Sequence, residues 1–175
     1  MSIEILPKRK VLRLSGFDYG GTSAYFVTIC TENKLKILSD IVGEGSPLPQ
    51  LSFYGGIVDK WIKILPQMYP VAIIEAYVIM PNHIHLLLSI KTDGGRGDPS
   101  PTLSAIIGRL KYNITKEVNE VSGKVGNKIF QRSFHDHIIR NRYDYDEHLK
   151  YIEENPSKWE DDALYVKSAP LKNNI

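Results

Sequence analysis

The sequence has little cysteine, little excess charge and no long apolar run. One cysteine among 175 residues excludes an internal disulfide and argues against a cysteine-based metal cluster. Cys30 lies in the apolar run 25–30, so we expect a buried thiol. No run is long enough to span a bilayer, and the N-terminal segment lacks the apolar core of a signal peptide. We therefore expect a cytoplasmic protein with no membrane partner.

The charge balance is also nearly neutral. The 22 lysines and arginines are offset by 20 acidic residues, which leaves a net charge of +2. A nucleic-acid-binding surface, if present, must therefore be local. The hydrophobic fraction of 42% and the charged fraction of 24% are typical of a globular chain. A chain of this length can form one domain with its own core.

Patterning along the chain predicts one domain, 21–160, between a basic N-terminal arm (1–20) and a C-terminal tail (161–175). Runs of β-branched and aromatic residues predict strands, and apolar residues at helical spacing predict helices. Pro66 and Pro70 are predicted to end the first helix, and Pro156 is predicted to end the last. The predicted strands are 24–31, 71–80, 84–90 and 128–140, and the predicted helices are 54–65, 103–121 and 144–154.

The predicted order β-α-β-β-α-β-α is typical of an α+β fold. Such a fold places helices on one face of an antiparallel sheet. Segments 42–50 and 91–101 are rich in glycine and proline and are predicted to be loops. We find neither an internal repeat nor a second domain in the pattern.

The segment Met80-Pro81-Asn82-His83-Ile84-His85 contains a His-x-His pair at the start of a predicted strand. Side chains at i and i+2 of a strand share a face, so His83 and His85 project together and Ile84 projects away from them. Two imidazoles on one face form a platform for a divalent metal. Because the pair follows a turn, we expect it near a sheet edge that ligands can reach. The alternative is a pair of half-exposed histidines with no ligand.

A second His-x-His, His135-Asp136-His137, has a polar middle residue. These histidines either line the same cleft in a supporting role or belong to an ordinary strand surface. His148, on the last predicted helix, is a further candidate for support.

Tyr151 and Asn155 are four residues apart on the last predicted helix and share a face. That helix could present a phenol nucleophile and, one turn later, an amide oxygen ligand. The alternative for Tyr151 is ordinary amphipathic packing. Tyr112 is a rival nucleophile, but Lys116 occupies the position where it would need a metal ligand.

Three blocks taken together resemble one known family, the IS200-like Y1 transposases, and most closely its REP-associated tyrosine transposase branch. The blocks are 24–31, 80–85 and 130–156, in the family's order, and the resemblance spans residues 8–160. Three ordered blocks are far more specific than one short motif.

The resemblance implies a ferredoxin-like fold of the HUH endonuclease type, with the nucleophile on the C-terminal helix. It implies that His83 and His85 are the HUH pair, that Asn155 is the third ligand of Mg²⁺ or Mn²⁺, and that Tyr151 is the nucleophile. The implied activity is metal-dependent cleavage and transfer of single-stranded DNA at hairpins or palindromic REP repeats, through a 5′-phosphotyrosine. The active enzyme would be a monomer or a homodimer.

Two other functions stay open at this point: a domesticated hairpin-binding module without catalysis, and a metal phosphoesterase that uses water. Basic residues are candidates for phosphate contacts, although each could equally be a solvated surface residue. These candidates are Arg9, Arg13, Arg109, Lys111, Arg132, Arg140 and Arg142.

Overall fold

The computed structural model of the protein describes residues 22–42, 49–91 and 101–167. The predicted basic arm, with Arg9 and Arg13, lies outside these residues. The described elements are β1 (Thr22–Cys30), β2 (Ser39–Asp40), β3 (Gln50–Leu51), α1 (Phe53–Met68), β4 (Ala72–Ile79), β5 (His83–Lys91), α2 (Leu103–Ser122), β6 (His135–Ile138) and α3 (Arg142–Glu154), with 3₁₀ helices at Glu32–Lys34 and Asn155–Asp161.

Four strands form one antiparallel sheet in the order β4-β5-β1-β6. The interior strands are therefore β5 and β1, and they pair along their whole length from Thr22 opposite Lys91 to Cys30 opposite His83. The short strands β2 and β3 pair separately. The predicted antiparallel sheet and the α+β class are confirmed.

Helices α1 and α2 cover one face of this sheet. Ile84, Leu86 and Leu88 point to that face from alternate positions of β5 and are fully buried against the apolar stripes of both helices. Burying one such side chain contributes about 1.5–3 kcal/mol. Side-chain oxygens of Ser52 and Thr102 cap the two helices at their first turns.

Helix α3 and the 3₁₀ helix that follows it lie on the opposite face. Ile152 and Trp159 pack there in a second cluster with Val78, Met80 and Leu87. The predicted fold class thus holds with one refinement, since only two of the three helices share a face. The interior strand β5 is buried on both sides, so each side requires its own covering layer. No helix of the described ranges is long and apolar enough to cross a membrane.

Two predicted boundaries are wrong. Helix α1 continues through Pro66 to Met68, because a proline in the last turn removes only one helical hydrogen bond near the end. Strand β6 has four residues instead of 128–140, and beyond it only an isolated bridge joins Phe130 to Thr31. The backbone carbonyls of residues 131–133 accept hydrogen bonds from the Lys111 amine instead of joining the sheet.

Candidate catalytic and metal site

His83 and His85 lie on the α3 side of the interior strand β5. Their side chains are buried, with 0% and 3% of the residue surface exposed, and their ring centroids are 4.5 Å apart. The expectation of an accessible sheet edge is therefore wrong. The Trp159 ring covers His83 at 5.9 Å, and the Tyr151 ring covers His85 at 5.1 Å.

Hydrogen bonds orient both imidazoles. Nδ1 of His83 lies 2.8 Å from Oδ1 of Asn82, whose Nδ2 donates to the Leu164 carbonyl. Oδ1 must therefore accept, and His83 donates its Nδ1–H. Nδ1 of His85 lies 2.9 Å from Oγ1 of Thr28. The Nε2 atoms of both histidines are buried and have no hydrogen-bond partner within the described residues.

Both histidines are neutral at pH 7. Burial lowers the pKa of His83 to about 4. Burial, followed by the charge of His83, lowers the pKa of His85 to about 3. Neutral imidazole is the form that binds metal ions, so neither histidine has to give up a positive charge first.

Tyr151 and Asn155 approach the histidines from α3 and the residue after it. The side chain of Asn141 accepts a hydrogen bond at the start of α3. Tyr151 is 43% exposed, so its ring lies against His85 and also reaches the surface. Asn155 is 3% exposed, and its Oδ1 is a third buried polar atom that has no partner in the described part of the chain.

These unpartnered atoms fit a divalent cation. Buried polar atoms are normally hydrogen-bonded, and the unpartnered polar atoms of His83, His85 and Asn155 in one site are suited to binding a cation. Two imidazole nitrogens and one amide oxygen are suitable ligands for a divalent ion and leave positions for phosphate oxygens. The structure thus brings together His83, His85, Tyr151 and Asn155.

Asp162 is a site residue that the sequence analysis missed. Its Oδ2 accepts hydrogen bonds from the Tyr151 hydroxyl at 3.1 Å and from Nδ2 of Asn155 at 2.7 Å. Asp162 follows the last predicted helix, in the weakly patterned segment 161–175. Its local signal is a turn in which Leu164 N–H donates to Oδ1, and turns of this kind occur in many loops.

The second His-x-His forms a separate cluster with α3. Nε2 of His137 lies 3.0 Å from the Asp144 carboxylate, and Nδ1 of His148 lies 3.2 Å from it. The two imidazoles stack with centroids 4.8 Å apart. The Phe26 ring separates this cluster from the site, with centroids 4.6 Å from His148 and 5.0 Å from His85. If His137 and His148 help to position the catalytic residues, they therefore do so by packing against Phe26.

The basic residues predicted to contact phosphates differ in whether their side chains already have a partner in the structure. Arg109, Arg132 and Arg140 are exposed, whereas exposed Arg142 pairs with Asp146 at 2.9 Å. The amine of Lys111 donates to carbonyls of residues 131–133, at 2.6 Å to the nearest, and burial lowers its pKa. Lys111 thus holds a loop in place, and its phosphate contact stays a prediction.

The rival nucleophile Tyr112 lies on α2 and is exposed. Helix α2 packs on the face of the sheet that is opposite to His83 and His85. Tyr112 therefore belongs to a different surface from the two histidines.

Residues 23–155, which include all four predicted catalytic and metal residues, match the family described as "Transposase IS200 like". An uncharacterized protein of Haemophilus influenzae is 30% identical over 173 residues, covering 90% of this chain and 93% of that protein. A solved structure of a REP-associated tyrosine transposase bound to a REP hairpin superposes with a TM-score of 0.54 at 21% identity, over 88% of this chain and 74% of that one. At that identity the likeness concerns the fold. The family match covers most of the chain, and the chain belongs to the IS200-like transposase family.

Proposed function

We propose that the protein is a metal-dependent endonuclease and strand transferase for single-stranded DNA, acting as a tyrosine transposase of the HUH type. The observation that supports this most directly is the placement of Tyr151. Its half-exposed ring lies 5.1 Å from the His85 ring, and its hydroxyl shares the Asp162 carboxylate with Asn155. His83, His85 and Asn155 each have a buried polar atom with no hydrogen-bond partner within the described residues. A binding module without chemistry has no need of such a set.

The two histidines and Asn155 would hold the ion. Mg²⁺ or Mn²⁺ bound there supplies Lewis-acid polarisation of the scissile phosphate and stabilises the charge that develops on it. The other contributions to catalysis come from residues of the chain. The network of Asn82 and Thr28 holds the imidazoles in place, as second-layer hydrogen bonds do in metal sites.

Tyr151 is the nucleophile in this proposal. Its oxygen attacks the phosphorus and loses the phenol proton, and the bond from phosphorus to the 3′ oxygen breaks. The leaving 3′ oxygen takes up a proton, so the products are a 5′-phosphate esterified to Tyr151 and a free 3′-OH. The energy of the phosphodiester is retained in the tyrosyl ester. A 3′-OH from another strand end can therefore reverse the reaction and join a new strand.

Hairpin or REP-like DNA is the proposed substrate, by analogy with the structural neighbour that was solved with a REP hairpin. Exposed arginines can contact phosphates, and Arg132 and Arg140 have no ion pair within the described ranges. The exposed Tyr143 ring can stack on an unpaired base. The four site residues lie together within one chain, so a single chain can form the site, as a monomer or within a homodimer.

The test is formation of a covalent protein–DNA complex. Purified protein is incubated with Mn²⁺ and a single-stranded hairpin oligonucleotide labelled at its 3′ end, since the 5′-phosphotyrosine retains the 3′ segment. We expect a labelled band on a denaturing protein gel. Tyr151→Phe should abolish the band. Tyr143→Phe on the same helix and Tyr112→Phe on α2 should retain it.

Two results would overturn the proposal. Cleaved DNA without a covalent band, equally in wild type and Tyr151→Phe, would identify a phosphoesterase that uses water. Binding without cleavage across hairpins of several sequences, in Mg²⁺ and in Mn²⁺, would identify a domesticated hairpin-binding module.

A further inference from the structure

The carboxylate of Asp162 is buried beside the candidate metal ligands. Its side chain is 1% exposed. It accepts hydrogen bonds from Leu164 N at 2.6 Å, Asn155 Nδ2 at 2.7 Å and the Tyr151 hydroxyl at 3.1 Å. Three donors directed at one carboxyl group are the environment of an ionised, acceptor-only carboxylate.

Among the described residues, no cationic side chain is in direct contact with this buried carboxylate to neutralise its charge. Within the described ranges, no lysine or arginine forms an ion pair with Asp162, and its nearest basic group is Nε2 of His83 at 4.0 Å. Because His83 donates its Nδ1–H to Asn82, its Nε2 carries a lone pair. Two electron-pair donors therefore face each other in a buried site, an arrangement that is costly unless a cation lies between them.

We propose that Asp162 is a fourth protein ligand of the divalent ion, together with His83, His85 and Asn155. This inference rests on the metal site of the proposed function and extends its ligand set. Ligand atoms of His83, His85 and Asp162 all lie within 4.8 Å of one another. Since metal–ligand bonds are about 2.0–2.2 Å long, one ion can reach atoms separated by up to roughly twice that length after a small adjustment.

The added carboxylate has two chemical consequences. It supplies a negatively charged oxygen, which suits Mn²⁺ and Mg²⁺ better than a site of imidazoles alone. It also couples the metal site to the segment after α3, because Asp162 lies directly beyond the 3₁₀ helix Asn155–Asp161.

The test measures Mn²⁺ binding to the full-length protein without DNA, by isothermal titration calorimetry. Asp162→Asn removes the carboxylate at nearly constant shape, and we expect Mn²⁺ affinity to fall about tenfold or more. Asp161→Asn is the matched control, since it removes the same charge from the adjacent, exposed residue and should leave affinity unchanged. His83→Ala should abolish binding.

The possible results separate this inference from the proposed function. If Asp162→Asn binds Mn²⁺ as Asp161→Asn does while His83→Ala does not bind, the fourth ligand is overturned and the rest of the metal site stands. If the wild-type protein binds no Mn²⁺, the metal site itself fails. Circular dichroism checks the fold, and Asp162→Ser, which also lacks a carboxylate, should show the same loss if Asp162→Asn does not fold.

Discussion

The hydroxyl of Tyr151 donates a hydrogen bond of 3.1 Å to Oδ2 of Asp162. Burial first, and then the charge and hydrogen bond of Asp162, raise the pKa of Tyr151 to about 12. In metal-free Asp162→Asn the charge of Asp162 is gone and burial remains. We therefore expect the pKa of Tyr151 to fall below 12 yet stay above its ordinary value of 10.0.

Nuclear magnetic resonance of isotope-labelled tyrosine rings can follow this titration in the metal-free protein. The signal is assigned as the one missing from Tyr151→Phe. Asp161→Asn serves as the control and should leave the titration unchanged. An unchanged pKa in Asp162→Asn would show that Asp162 does not influence the phenol.

The Phe26 ring links three rings of the site and its surroundings. Its centroid lies 5.0 Å from His85, 5.8 Å from Tyr151 and 4.6 Å from His148. We expect Phe26→Leu to slow formation of the covalent complex while hairpin affinity stays the same, because the ring holds the nucleophile and one ligand in register. The loss of aromatic contacts should also reduce the free energy of unfolding by about 1 kcal/mol.

Phe53→Leu is the matched control, since Phe53 is largely exposed at the start of α1. Single-turnover rates with the labelled hairpin and urea unfolding measure the two effects. A variant with wild-type rate and reduced stability would limit Phe26 to a packing role.

The fold and the His-x-His pair could be predicted because their signals are local. Alternation along β5 determines that His83 and His85 share a face, whichever strands become its neighbours. Burial of that face was not predictable, since it depends on where α3 and Trp159 pack after a turn. The sequence suggests a strand start open to ligands, whereas the structure has an interior strand.

Asp162 and Lys111 show why other site features could not be predicted. Asp162 lies in a segment without hydrophobic periodicity, and its role arises from tertiary contacts with Tyr151 and Asn155. In the sequence, Lys111 cannot be distinguished from a solvent-exposed lysine on a helix. Only the packed loop shows that its amine is bound to backbone carbonyls.

Asp144 should make the protein sensitive to acid. Burial alone would raise its pKa, but the hydrogen bonds from His137 and from Arg140 N, with the charges of His137 and His148, outweigh burial and lower the pKa below the ordinary 3.8. A carboxyl group whose pKa is lower in the folded state stabilises the fold above its unfolded pKa. That stability is lost as the pH falls through the folded pKa.

We therefore expect Asp144→Asn to lower the melting temperature at pH 7, with the difference from wild type shrinking by about pH 3. Asp146→Asn, two residues away, removes an exposed carboxylate whose pair with Arg142 is also exposed, and should have a smaller effect. Melting curves across this pH range measure both variants. If the melting temperature of Asp144→Asn is lower than that of wild type by the same amount at every pH, the lowered pKa of Asp144 does not stabilise the fold.

Gly55 is required by the contact between α1 and the segment before β2. A Cβ added there would lie only 1.9 Å from the Leu38 carbonyl oxygen, which is backbone and cannot rotate away. We expect Gly55→Ala to reduce the free energy of unfolding by about 2 kcal/mol or more. Gly56→Ala meets nothing within 4 Å and should stabilise the helix by about 0.5–1 kcal/mol. Urea unfolding of both variants tests this contrast, and equal effects would contradict it.

Arg140 and Arg142 lie two residues apart, both exposed, but differ in their ion pairs. Arg142 must break its 2.9 Å contact with Asp146 to bind a phosphate, whereas Arg140 forms no ion pair within the described residues. If both contact DNA, Arg140→Gln should weaken hairpin binding more than Arg142→Gln. It should also reduce the slope of log affinity against log salt by about 0.7–0.9, the value for one phosphate contact.

Lys63→Gln on α1, on the other face of the sheet from α3, is the control and should change neither hairpin affinity nor this slope. Fluorescence anisotropy at several salt concentrations measures both, and a slope unchanged in Arg140→Gln would place the DNA backbone elsewhere on the protein.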